Sequence, residues 1–176
     1  MKMGLVMISV FGLTVGTVLL AEDVPGFTPP HKFPLNKTTS EWRKLLSHKS
    51  FEVLRMKDTE PPFDSEYWNN HEAGTYYCAG CGQPLFSSET KFDSHTGWPS
   101  FYQPIKPDAI VKQSDHSLGM SRIEVLCSRC GGHLGHVFDD GPKPTGLRFC
   151  MNSAAMTFKK GEAPSAKVET KAKAKN

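Results

Sequence analysis

The five cysteines of this chain fall into two kinds. Cys78-Ala79-Gly80-Cys81 and Cys127-Ser128-Arg129-Cys130 are matched C-x-x-C pairs, while Cys150 stands alone in Arg148-Phe149-Cys150-Met151-Asn152-Ser153. A C-x-x-C turn points two thiolates at one ion, and two such turns complete the tetrahedral four-thiolate shell that zinc favours in structural sites. Four cysteines are thereby assigned to a metal, and the fifth thiol is left for chemistry.

Disulfides are the competing reading of the paired cysteines, and three connectivities would be open to them. Glycines favour the metal: Gly80 and Gly82 flank Cys81, and Gly131 and Gly132 follow Cys130. Such residues adopt positive φ without steric penalty, as a knuckle does when its amides turn toward a bound sulfur. The span from 82 to 126 is longer than in a compact zinc finger, so the ion is expected to join distant parts of a larger fold. A closed four-cysteine site also has no open position for substrate, which argues against zinc as the catalyst.

The chain of 176 residues suits one domain with terminal extensions. Met3 to Ala21 carries no charge, follows Lys2 and precedes Glu22-Asp23. Residues 1–21 therefore read as a signal peptide, which makes the protein exported, periplasmic or secreted; an uncleaved membrane anchor is the alternative. Cleavage after Ala21 would leave Leu19 where a small residue is preferred. Residues 22–37 are proline-rich and read as a linker. Residues 161–176, rich in Ala, Lys and Glu, read as a disordered tail. Between Thr38 and Lys160 there are 14 Lys/Arg and 14 Asp/Glu, so the overall charge of +3 comes from the termini. A neutral domain lacks the basic footprint of a nucleic-acid binder.

Within that domain, Thr38-Thr39-Ser40-Glu41 matches a capping box, and Trp42, Leu45 and Leu46 follow at helical spacing. Phe51 to Met56 is expected to add a turn or two of helix before Pro61-Pro62 forbids continuation. Short strands separated by Gly, Pro, Asn and Asp follow, with Gly74 to Cys78 leading into the first knuckle and Ser121 to Leu126 into the second. In the latter, Ile123 and Val125 alternate with Arg122 and Glu124, as in a half-buried strand. The fold is expected to be mainly β, with its helices on the N-terminal side.

Leu147 to Ser153 reads as a strand with Leu147, Phe149 and Met151 toward the core and Arg148, Cys150 and Asn152 on the other face. A thiol between a fixed cation and an amide donor sits in a setting that stabilises its thiolate, although a lone strand cysteine is as often an inert core residue. His133-Leu134-Gly135-His136 brings two imidazoles together just after the second knuckle; near Cys150 they could move protons at neutral pH. Gly97-Trp98-Pro99-Ser100-Phe101-Tyr102 is a proline-stiffened aromatic loop able to wall an apolar pocket or simply to pack in the core.

Taken in order, these segments resemble methionine sulfoxide reductase B. The resemblance spans about Thr38 to Lys160 and includes Tyr67-Trp68, both knuckles, Gly97 to Phe101, His133 to Phe138, Asp140-Gly141-Pro142 and Arg148 to Ser153. It implies two antiparallel sheets in a barrel-like or tent-like core, one structural Zn2+ remote from catalysis on Cys78, Cys81, Cys127 and Cys130, and reduction of the R epimer of methionine sulfoxide in peptides and proteins. Cys150 matches the nucleophile and becomes a sulfenic acid. His133, His136, Arg148 and Asn152 match polar active-site residues, with a protonated His136 as the preferred donor to the departing oxygen. Trp98 and Phe101 are the expected substrate-binding aromatics.

In many members a resolving cysteine precedes Gly-Trp-Pro-Ser-Phe, where this chain has Thr96. An external thiol, from a thioredoxin-like protein or a small molecule, is therefore expected to reach Cys150 directly. A zinc-ribbon binding module and a thiol peroxidase are the rival readings. The neutral domain and the Cys/His constellation count against the first, and the aromatic loop against the second.

Overall fold

A computed structural model describes residues 31–161. The uncharged N-terminal segment and most of the Lys/Ala-rich tail lie outside the described residues. Among those described, no helix is long and apolar enough to cross a membrane.

Two short helices open the domain, α1 (Thr39–Leu45) and α2 (His48–Met56). The capping box forms as the residues dictate: the Glu41 amide donates to the Thr38 hydroxyl, and the Glu41 carboxylate accepts from the Thr38 backbone. Helix α2 starts earlier than Phe51, because the Ser47 hydroxyl accepts from the Ser50 amide and supplies a second cap. It ends before the prolines, at a left-handed Lys57 with φ of 62°. Trp42, Phe51, Val53 and Leu54 are the helical residues buried in the core.

The remainder forms two antiparallel sheets. Strands β1 (Gly74–Cys78), β2 (Pro84–Ser87) and β9 (Met156–Lys160) form the smaller, in the order β2-β1-β9. The larger contains β3 (Lys91–Phe92), β4 (Ser100–Phe101), β5 (Ile110–Asp115), β6 (Arg122–Cys127), β7 (His133–Phe138) and β8 (Arg148–Met151), in the order β3-β4-β8-β7-β6-β5. Both sheets stay open rather than closing into a barrel. Aromatic rings join them: Phe86 stacks on Phe101 at 4.4 Å, and Tyr76 meets the same ring edge-on at 5.0 Å. Phe101 is 0% exposed at this joint, so the expectation that it binds substrate is corrected; its bulk fills the space between the sheets.

Strand β6 departs from the half-buried pattern. Ile123 is 39% exposed while Glu124 is 2% exposed. The strand lies between β5 and β7, and its polar face is itself roofed, because Lys57 at the end of α2 places Nζ 2.8 Å from the Glu124 carboxylate. The expected linker is also partly structured. The Leu35 amide donates to the Arg129 carbonyl at 2.9 Å, which lays this segment against the second knuckle.

Candidate active site and metal centre

Antiparallel register fixes what surrounds Cys150. In the larger sheet Ser100 pairs with Cys150, Cys150 with His136, and His136 with Glu124. Directly opposed residues point to the same face of a sheet. One transverse row, contributed by four strands, therefore carries a hydroxyl, the thiol, an imidazole and a carboxylate. The neighbouring row holds Arg148, Phe138, Arg122 and Asp115, from the pairs Phe138–Arg148 and Asp115–Arg122. Phe149 and Met151 point the other way into the core, as the alternation predicted.

His133 and His136 are three apart and would face opposite ways on a regular strand. A register shift where Val125 pairs with Gly135 but Leu126 with His133 inserts one extra residue in β7. Both rings then share the site, 5.3 Å apart. His133 lies deeper, its Nδ1 2.7 Å from Glu124 and its Nε2 buried without a partner. His136 lines the cavity, with Nε2 2.8 Å from Asp115. Gly135 is required between them, since a Cβ there would lie 2.1 Å from the Cys150 carbonyl oxygen.

The cavity beside Cys150 has a volume of about 140 Å³ and is walled by Trp98, His136, Phe138, Asn152, Thr59 and Arg122. Trp98 is held by its indole N–H, which donates to the Glu60 carbonyl at 2.9 Å. Glu60, 4% exposed, is the residue that sequence reasoning missed. Its carboxylate accepts from the Ser153 and Ala154 amides, and its own amide donates to Asn152 Oδ1. One residue before the prolines thus fastens both the aromatic wall and the turn after the thiol. A buried acid more than ninety residues from the turn it holds has no local signature; only its position beside Pro61-Pro62 hinted at fixed backbone. Arg122 was also missed, because strand alternation alone assigns it to a solvated face.

Electrostatics modify the expected picture of the thiol. Burial pushes the Cys150 thiol up, and Arg148, Thr96 and Ser100 beside it only partly offset that shift. The Asn152 side chain is engaged elsewhere: its amide donates to the Leu134 carbonyl at 3.2 Å, and its oxygen accepts from the Glu60 amide. Burial likewise lowers His136, opposed by Asp115 and reinforced by the Arg122 cation. The Ser117 hydroxyl and amide, with His136 and Arg122, hold Asp115 well below the usual carboxylate range. Both shifts favour a proton on sulfur and a neutral imidazole in the substrate-free site. With Nε2–H donating to Asp115, Nδ1 is the basic nitrogen of that ring. Arg148 makes two hydrogen bonds of 2.8 Å to Asp140 and lies 4.5 Å over the Phe138 ring.

The other four cysteines gather at the far ends of β1 and β6. All four sulfurs lie within 4.8 Å of one another, with Cys78–Cys130 at 3.7 Å and Cys81–Cys127 at 3.5 Å. A tetrahedral ion with sulfur ligands at about 2.3 Å requires sulfur separations of about 3.8 Å, so the donor set fits such an ion. The two knuckles repeat one backbone pattern: the Gly82 amide donates to the Cys78 carbonyl at 2.8 Å, and the Gly131 amide to the Cys127 carbonyl at 2.9 Å. Gly82 and Gly131 take positive φ, as the sequence required. Neighbouring thiols push Cys78 up and hold Cys130 down, since four adjacent sulfurs do not all ionise without a cation. Arg55 clamps the group, donating to the Cys130 carbonyl at 2.8 Å while stacking 3.8 Å over Trp42.

Comparison with known proteins gives a consistent result. The SelR domain family matches residues 46–160. A peptide methionine sulfoxide reductase MsrB from Leptospira interrogans is 54% identical over 128 residues, covering 73% of this chain and 98% of that protein. Proteins of the same name from Methanosarcina barkeri and Acinetobacter baylyi are 55% and 53% identical over 128 residues, covering 90% and 92% of their lengths.

Proposed function

The chain belongs to the SelR domain family, and from that premise we propose that it reduces methionine-R-sulfoxide in peptides and proteins to methionine, with Cys150 as the nucleophile. The observation that carries this reading is the pairing of Cys150 with His136 across β8 and β7, at a cavity walled by Trp98.

In the reaction the Cys150 sulfur attacks the sulfoxide sulfur and forms a transient S–S bond, while His136 Nδ1 takes the thiol proton and returns it to the sulfoxide oxygen. The protonated oxygen then passes to the Cys150 sulfur as its bond to the methionine sulfur and the S–S bond break, so methionine leaves and Cys150 becomes a sulfenic acid, oxidised by two electrons as the sulfoxide is reduced by two. Arg148 stabilises the developing thiolate, His133 and Glu124 support His136 from below, and Asn152 shapes the cavity. The indole of Trp98 accommodates the sulfoxide methyl group and so discriminates between epimers. A thiol, small or borne by a protein, regenerates Cys150.

Cys78, Cys81, Cys127 and Cys130 would hold one Zn2+, whose contribution is structural: it staples the ends of β1 and β6. Export through the segment preceding residue 22 is a separate proposal, tested by mass spectrometry of the mature N-terminus in the native host. The central test is turnover of the two separated epimers of a methionine sulfoxide peptide. Consumption of the R epimer alone supports the reading, while equal consumption of both removes it.

A further inference from the structure

Two openings that share no lining residue adjoin the strand pair β4–β8, where Ser100 is paired with Cys150, and Cys150 itself lines the first. The first is the cavity with Trp98 and His136. The second is a cleft of about 380 Å³ lined by Thr96, Ser94, Asp93, Arg148, Asp140 and Pro142. Thr96 and Arg148 among its lining residues also act on the Cys150 thiol, and Arg148 shares the Cys150 face of β8. Arg148 contacts residues of both, stacked on Phe138 of the first cavity and doubly hydrogen-bonded to Asp140 of the second. Ser94 extends the polar wall, linking the Thr96 and Ser100 hydroxyls at 2.8 and 2.7 Å.

We infer that this second cleft is the docking site of the reducing thiol, distinct from the cavity that receives methionine sulfoxide. The inference rests on the reductase reading above. The sulfenic oxygen originates from substrate and therefore begins in the cavity beside His136. A thiolate displacing that oxygen must approach sulfur from the side opposite the S–O bond, and that approach is assigned to the cleft lined by Thr96 and Arg148. The incoming sulfur forms an S–S bond to Cys150, the S–O bond breaks, and the oxygen leaves as water with a proton delivered from the His136 side. A second thiol then attacks the mixed disulfide, releasing the Cys150 thiol and the oxidised reductant. A polar cleft suits this partner, since thiol reductants are hydrophilic where the sulfoxide methyl is not. The shared chemistry is a thiolate on either a small molecule or a protein loop.

Bulky residues at the rim test the assignment without touching Cys150. Pro142→Trp and Asp93→Trp fill the cleft from two sides, and zinc content and far-UV circular dichroism report their folding. Each is compared with wild type in two measurements: methionine formed in a reductant-free cycle, and steady-state turnover with dithiothreitol or with a two-cysteine reductase protein. The expected result is an unchanged burst of about one methionine per Cys150, with turnover at least about tenfold slower and a trappable sulfenic acid accumulating. Slowing with only one reductant identifies which source of thiol uses the cleft. Wild-type turnover in both folded variants with both reductants overturns the inference, as does loss of the burst in both, which would make these residues part of the sulfoxide site. Absence of a burst from the wild-type protein would instead refute the reductase reading.

Discussion

The backbone amide of Glu60 donates to Asn152 Oδ1 at 3.1 Å, joining the segment before Pro61-Pro62 to the residue two places beyond the Cys150 thiol. The same Glu60 supports Trp98 through its carbonyl and the Ser153–Ala154 turn through its carboxylate. Its carboxylate touches no reacting atom, so its contribution is positioning. Glu60→Gln replaces one accepting oxygen with an amide that confronts a backbone N–H. The expected cost is about 1–3 kcal/mol of stability, measured by urea unfolding. A looser Trp98 should also raise KM more than it lowers kcat and reduce the preference for the R epimer. Unchanged epimer preference would restrict Glu60 to a purely structural role.

Burial raises the Cys150 thiol more than its neighbours lower it, so the free protein should react slowly with iodoacetamide at neutral pH. The rate should continue to climb beyond the ordinary thiol range. Arg148→Met removes the cation that favours the thiolate and should slow alkylation further at each pH below that range. A Cys150 alkylation profile that plateaus below neutrality would contradict the order of these effects.

Asp115 pulls the His136 imidazole upward, against burial and Arg122. Asp115→Asn should therefore lower the His136 titration, followed by NMR, and move the acidic limb of kcat/KM to lower pH. The carboxylate has a depressed folded pKa, so its stabilisation is present above the ordinary carboxylate value and declines as pH falls through the folded value. The variant should lack that component of acid sensitivity in thermal unfolding.

Cys150→Ser should abolish methionine formation in a single cycle and leave zinc and fold intact. Cys127→Ser breaks the donor set at the end of β6, and its expected phenotype is loss of zinc with loss of soluble folded protein. Metal analysis beside a single-turnover assay separates the two classes. A stable, metal-free Cys127→Ser protein would remove the structural role from the ion.

Much of this architecture was legible in local spacing. The C-x-x-C pairs with their glycines, the capping box at Thr38, and the alternation around Cys150 each depend on residues a few positions apart, where backbone geometry limits the outcomes. The expected closeness of His133 and His136 holds for a non-local reason: three-residue spacing on a regular strand would separate them, and the extra residue paired against β6 brings their rings together. Locality also explains the error at Phe101. Phe101 belongs to a motif that suggested substrate contact, yet the approach of two sheets makes it core.

Local spacing alone grouped Cys78, Cys81, Cys127 and Cys130, set Cys150 apart from them and indicated the face on which that thiol lies. Only the long-range packing makes Glu124 a buried partner of His133, lets Glu60 fasten Trp98 and Asn152, and buries the Cys150 thiol so that its pKa is pushed up. Those properties arise from partners brought together across tens of residues and from the water excluded around them. Periodicity records which side of a strand a residue occupies, whereas burial and charge depend on what the rest of the chain places above it.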